Sequence, residues 1–147
     1  MIEPTKEQVL SHLIHDVYVR VGPSKVAGVG LIAVRNIPKG IDPFKNLFDP
    51  PTYAFSTDDL KDVPENVRTM VQDYFGKEDG LYYIPATGVN PLDILHFINH
   101  SDVPNVETIN GGSVFVTTRD VKAGEELYAD YRTYDEGFHE MKEVKKP

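Results

Sequence analysis

The 147-residue sequence contains no cysteine and no tryptophan. Without thiols it can form neither disulfides nor a zinc–thiolate cluster, and it offers no sulfur nucleophile. Basic residues are in deficit, with 15 Lys and Arg against 23 Asp and Glu and a formal charge of −8. Such a balance repels phosphate backbones and favours cationic partners, which argues against direct nucleic-acid binding. No run of 18 apolar residues occurs, and Met1 is not followed by a basic and apolar leader. Neither a membrane span nor a targeting segment is expected, and the chain reads as soluble and intracellular. Repeats and low-complexity segments are also missing. What is present suffices for one domain, since 40% of the residues are hydrophobic and a chain of this length can bury about 68–70% of its unfolded surface.

Residues 5–16 carry Val9, Leu10, Leu13 and Ile14 at helical spacing, and Thr5 with Gln8 makes a capping box after Pro4. An amphipathic helix is expected there. Residues 17–21 alternate with a period of two and predict a strand. A loop containing Gly22, Pro23, Ser24, Gly28 and Gly30 leads to a second strand at 31–34 and the turn Ile37-Pro38-Lys39-Gly40. Residues 41–62 hold Pro43, Pro50, Pro51 and scattered aromatics without a period, and read as irregular. Val67, Met70, Val71 and Tyr74 predict a helix over 64–74, with Asp62 as cap and Gly76 as stop. A short strand is expected at 81–84, while the apolar run 94–98 is too short to assign. Residues 106–109 and 113–118 flank Asn110-Gly111-Gly112 as a β-hairpin, 126–131 is a last strand, and the charged tail 139–147 is expected to fray. Short strands with a few small helices indicate a β-rich α+β domain.

Three groups of residues could carry chemistry. Gly28-Val29-Gly30 lacks the third glycine and following helix of a dinucleotide cradle, so it is either an ordinary loop or a backbone that something approaches closely. His96 and His100 stand four apart with Asp93 and Asp102 nearby, but Phe97 replaces the glutamate of a metalloprotease helix and Asn99, Ser101 and Pro104 favour a turn. No metal site is expected, and a hydrogen-bonded histidine is the plainer reading of each. Tyr131 and Tyr134 close the last strand; a tyrosine there either packs or presents its hydroxyl to an amine. No Ser-His-Asp motif accompanies them.

In order, Gly28-Val29-Gly30-Leu31-Ile32-Ala33, Phe97-Ile98-Asn99-His100-Ser101-Asp102-Val103-Pro104-Asn105 and Ala123-Gly124-Glu125-Glu126-Leu127-Tyr128-Ala129-Asp130-Tyr131 resemble a SET domain, the family of S-adenosylmethionine-dependent lysine methyltransferases. The resemblance implies small curved β-sheets with a pseudoknot, and it divides the chain into an N-terminal helix (1–16), the domain (17–134) and a tail (135–147). It implies that S-adenosyl-L-methionine is bound by Gly28, Val29, Gly30, Asn99 and His100, with Tyr74 near it and Phe138 or Tyr134 over the adenine. S-adenosylhomocysteine would be the product. Tyr131 would sit where the methyl group is transferred, with its hydroxyl fixed by neighbouring backbone. Phe44, Phe48, Tyr53 or Tyr128 could wall the amine channel. The partner would be a cationic substrate, either a lysine-containing protein or a small polyamine; a non-catalytic binding module is a further alternative. The oligomeric state is left open. Three positions depart from the family pattern: Asp102 stands where cysteine is usual, His96 where many members have arginine, and Asp93 near where they have asparagine.

Overall fold

The computed structural model describes residues 3–111 and 114–135. Helix α1 (Lys6–His15) forms on its capping box: Thr5 Oγ1 accepts from the Gln8 N–H at 3.2 Å, and Gln8 Oε1 accepts from the Thr5 N–H at 2.8 Å. The helix is where the sequence places it, but its apolar stripe covers no core. Leu10, Leu13 and Ile14 are each more than half exposed. The C-terminal end is held by Arg35, whose Nη1 donates to the Ile14 carbonyl at 2.7 Å while the guanidinium carbon lies 5.6 Å from the centre of the Tyr18 ring.

The rest of the described chain is β1 (Val19–Pro23), β2 (Val29–Ala33), β3 (Thr52–Phe55), α2 (Glu65–Tyr74), β4 (Lys77–Glu78), β5 (Leu81–Pro85), a 3-10 turn (Ile94–Phe97), β6 (Asn99–His100), β7 (Val106–Thr108), β8 (Phe115–Thr117), β9 (Glu126–Ala129) and a second 3-10 turn (Tyr131–Thr133). They form sheets of order β1-β2-β9-β6, β3-β5-β4 and β7-β8. The first positions the site. Strands β1 and β2 pair antiparallel, and β2 pairs antiparallel with β9, setting Leu31 against Leu127 and Ile32 against Glu126. Strand β6 runs parallel to β9, setting Asn99 beside Tyr128 and His100 beside Ala129. A β-rich α+β fold of small sheets is therefore present.

Two cores support it. Leu31, Ile37, Val106, Val121 and Leu127 are at most 1% exposed and centre the larger one. Leu60, Val71, Phe75 and Tyr82 form a smaller core between α2 and the β3-β5-β4 sheet. Central strands buried on both faces lose the alternation that marks a half-buried strand; β9 buries Glu126, Leu127 and Ala129 alike.

Several sequence readings shift. The first strand starts at Val19 rather than Val17, and the last ends at Ala129, because the Asp130 side chain accepts from the Arg132 N–H and turns the chain into a 3-10 turn. Strand β3 lies within the segment expected to be irregular. Asp62 does not cap α2: Pro64 occupies the N-cap without a side-chain hydrogen bond, and the helix gives way to extended backbone at Phe75. Of its expected apolar face only Val71 is buried. The tail 139–147 lies outside the described residues. Among those described, no helix is long and apolar enough to cross a membrane.

Candidate active site

Residues after β6 are stitched along β9 by a buried asparagine. Asn105 Nδ2 donates to the Glu126 carbonyl at 2.9 Å, its Oδ1 accepts from the Tyr128 N–H at 2.8 Å, and its own N–H donates to the Tyr128 carbonyl at 3.2 Å. Ser101 N–H donates to the Ala129 carbonyl at 3.0 Å. The Asn-His-Ser segment and the last motif are thereby fixed side by side.

Tyr131 follows immediately. Its hydroxyl donates to the Ile98 carbonyl, and its N–H donates to His100 Nδ1 at 3.1 Å. With Nδ1 accepting, the imidazole proton belongs on Nε2, which donates to Asp102 Oδ1 at 3.1 Å. Arg132 Nη2 joins Asp102 at 3.2 Å and Asp130 at 2.8 Å. The side-chain hydrogen bond from Arg132 is the main reason that the Asp130 carboxyl titrates at about 2. Asp102 thus links His100 to Arg132. Burial, with the nearby Asp135, pushes the Tyr131 phenol up, so it stays protonated at neutral pH. Ring contacts continue inward, from Tyr131 to Tyr134 at 5.9 Å, to Phe115 at 5.0 Å and to Phe44 at 6.3 Å.

A second polar group lies behind the glycine loop. Glu126 is 8% exposed and accepts from Ser24 Oγ at 2.8 Å, Tyr128 Oη at 3.0 Å, Asn99 Nδ2 at 3.1 Å and the Lys25 N–H at 3.2 Å. Burial pushes its carboxyl up, but the hydrogen bonds from Asn99, Ser24, Lys25 and Tyr128 outweigh it and hold the group below its ordinary value. Ser24 Oγ in turn accepts from the Val26 and Ala27 N–H groups, which shapes the loop. Asn99 Nδ2 also reaches the Val29 carbonyl at 2.9 Å.

The expected site residues divide as follows. Asn99, His100 and Tyr131 are brought together, and Val29 joins them through its carbonyl. Gly28 has φ +51°, and a Cβ there would meet nothing within 4 Å. Gly30 is different: a Cβ would lie 2.3 Å from Glu126 Oε2 and 2.9 Å from Asn99 Nδ2. What approaches Gly30 is the protein's own polar hub. Tyr74 makes its ring contact with His96, at 6.5 Å. Phe138 lies outside the described residues. Among the candidate channel walls, Phe44 is in the core and Tyr53 is exposed on β3, while Phe48 lines a cleft beside α1 with Gln8 and His12; Tyr128 is tied to Glu126. His96 Nδ1 is 3.0 Å from the Asp93 carbonyl, so the two histidines serve different partners. Among the described residues no group of three His, Cys, Asp or Glu could hold a metal ion. Sequence reasoning missed Glu126, Ser24 and Asn105.

No curated protein matches the chain in sequence. Among solved structures, a Plasmodium falciparum protein described as a candidate histone methyltransferase is 20% identical, with 78% of this chain and 93% of that one covered and a TM-score of 0.49. The SET domain family model matches residues 28–132. That span takes in well over half of the sequence and all three motifs now seen meeting at β2, β6 and β9, and the chain belongs to the SET domain family.

Proposed function

We propose that the chain is an S-adenosylmethionine-dependent N-methyltransferase acting on the side-chain amine of a protein lysine, within a domain spanning residues 17–134. The observation that carries this reading is the convergence of Asn99 and His100 on β6, paired with β9, and Tyr131 in the 3-10 turn that follows β9, with Tyr131 held at both its hydroxyl and its N–H. The residues present suit the cofactor. The open side of Gly28 admits close approach, and Asn99, with its nitrogen taken by the loop and Glu126, has an oxygen to offer an ammonium group. Gly28, Val29, Asn99 and His100 would hold it. When bound, the cofactor supplies an electrophilic methyl group on a positively charged sulfur.

The chain's own residues then orient the acceptor. Tyr131 has committed its proton to the Ile98 carbonyl, so toward an incoming amine or a polarised C–H group its oxygen acts as an acceptor. The acceptor must arrive neutral, although a free lysine has a pKa of about 10.4. Burial beside Tyr131 and Tyr134 favours the neutral amine, and the same burial raises both phenols. In-line displacement needs alignment rather than a protein nucleophile.

Labelled cofactor offered with a lysine-rich peptide and with a polyamine tests the reading, before and after treatment with chelator. Transfer to the peptide that survives chelation is expected. Transfer to the polyamine alone would move the acceptor to small cationic amines, for which the charge of −8 is the motivating observation. Cofactor binding without transfer would leave a binding module, and absence of cofactor binding would refute the reading.

A further inference from the structure

Glu126 plays no part in the transfer step described above, yet it is the buried carboxylate nearest the glycine loop. A carboxylate has about four lone-pair sites, and the side chains of Ser24, Asn99 and Tyr128 with the Lys25 N–H supply four donors. Every donor is neutral. Among the described residues no Lys, Arg or His forms an ion pair with it. A buried charge that has hydrogen bonds but no counter-ion retains its field, and little water is present to screen it. The Arg132 pairs with Asp102 and Asp130 leave those carboxylates largely compensated; among the described residues Glu126 has no such pair.

One of the four donors, Asn99, carries the field toward the glycine loop. Four acceptors surround Asn99 Nδ2: the Val29 carbonyl at 2.9 Å, Ser24 Oγ at 3.0 Å, Glu126 Oε2 at 3.1 Å and the Ala27 carbonyl at 3.3 Å. Reversed, the amide would set its oxygen against two carbonyls and the carboxylate. The nitrogen therefore faces the hub, and Asn99 Oδ1 faces away from it, with its electron density reinforced by the charge behind.

We propose that Glu126 is the buried counter-charge for the cationic groups of the cofactor, acting through the Asn99 amide as a positioning residue. The proposal rests on the methyltransferase reading above, since it is that reading which brings an ammonium and a sulfonium to Asn99. It separates two roles that composition alone confounds. The exposed acidic residues act through solvent and are screened by salt, whereas Glu126 is mostly covered and is screened less.

Three ligands graded by positive charge test it by calorimetry: S-adenosylmethionine carries an ammonium and a sulfonium beside its carboxylate, S-adenosylhomocysteine the ammonium beside the same carboxylate, and 5′-methylthioadenosine none of the three. Glu126→Gln keeps the volume and removes the charge. It should weaken S-adenosylmethionine about tenfold or more and S-adenosylhomocysteine less, and it should leave methylthioadenosine within twofold. Adding Asn99→Asp to that variant moves a carboxylate one link forward and should recover part of the lost affinity. An equal loss for all three ligands would make Glu126 a structural residue only, and no loss for any would remove it from recognition; either result overturns the proposal. A second measurement needs no variant. In the unmodified protein, the preference for S-adenosylmethionine over methylthioadenosine should persist from about 0.1 to 1 M salt, where the Debye length falls from about 10 to 3 Å. A preference that vanishes would place the charge on the surface and overturn the proposal. Binding of none of the three ligands by the unmodified protein would instead refute the methyltransferase reading itself.

Discussion

Replacing Gly30 with alanine sets a methyl group 2.3 Å from Glu126 Oε2, roughly 1 Å inside ordinary contact, and 2.9 Å from Asn99 Nδ2. The backbone of β2 on one side and of β9 on the other cannot retreat without breaking the Leu31–Leu127 register, so the carboxylate must move. At Oε2 it then loses the bonds from Ser24 and Asn99. Hydrogen bonds to a charged group contribute about 1.5–3 kcal/mol each, so the loss is about 3 kcal/mol or more. Alanine restricts the unfolded chain and returns about 0.4–1 kcal/mol. The net expectation is about 2–3 kcal/mol of destabilisation, a fall of about 4–12 °C in Tm for a chain of this size. Gly28→Ala is the control: φ is +51° but the space is open, and only left-handed strain of about 1 kcal/mol applies. Urea denaturation of both variants, and of Gly30→Ala in a Glu126→Ala background, completes the cycle. There the alanine at position 30 should cost much less, because its nearest obstacle is gone and only Asn99 Nδ2, at 2.9 Å, must shift. The reasoning would be refuted if Gly30→Ala lay within about 0.5 kcal/mol of the unmodified protein, or if Gly28→Ala were the more damaged.

Tyr131→Phe should fold and bind cofactor but lose most methyl transfer; rates within threefold of the unmodified protein, less than about 1 kcal/mol of barrier, would make Tyr131 a packing residue. The Asp130 carboxyl titrates at about 2 rather than 3.8, so its folded-state pKa is depressed. Its stabilisation is present in full above the ordinary value and fades as pH falls from about 4 through 2. Asp130→Asn should therefore be less stable than the unmodified protein at pH 6, with the gap closing by pH 2, as read by denaturation midpoints at each pH. Arg35→Met removes the donor to the Ile14 carbonyl and the cation over Tyr18, and with no buried residue α1 has little else to hold it. Limited proteolysis should cut between α1 and β1 faster in this variant, and unchanged cutting would show another anchor.

Local signals were legible where they act locally. The Thr5 and Gln8 capping box gives α1, and the Asn110-Gly111 turn gives the β7-β8 hairpin, because both are set by a few adjacent residues. Strand β3 escaped notice because three of its four residues are exposed and Pro50 and Pro51 precede it, so no alternation marks it. Strand β6 has only two residues and exists through its partner β9 rather than by propensity. That Asn99, His100 and Tyr131 lie together follows from motif order. Glu126 was not legible, since a glutamate opening a predicted strand reads as a solvent-facing residue. Its burial depends on Ser24 and Asn99, distant in sequence, and on a glycine whose missing side chain leaves the room.

The Ser24–Glu126 hydrogen bond joins residues 102 positions apart, and Asn99 reaches Val29 across 70. Contacts of that span form only after a long loop has closed, and folds built on them form slowly. During synthesis the glycine loop emerges well before the carboxylate that organises it, and β6 waits for β9 before it is a strand at all. A nascent chain stopped short of residue 126 consequently holds the glycine loop and the Asn99–His100 segment without the strand that pairs them. The hub of Ser24, Asn99 and Glu126 is therefore complete only once the last strand is in place.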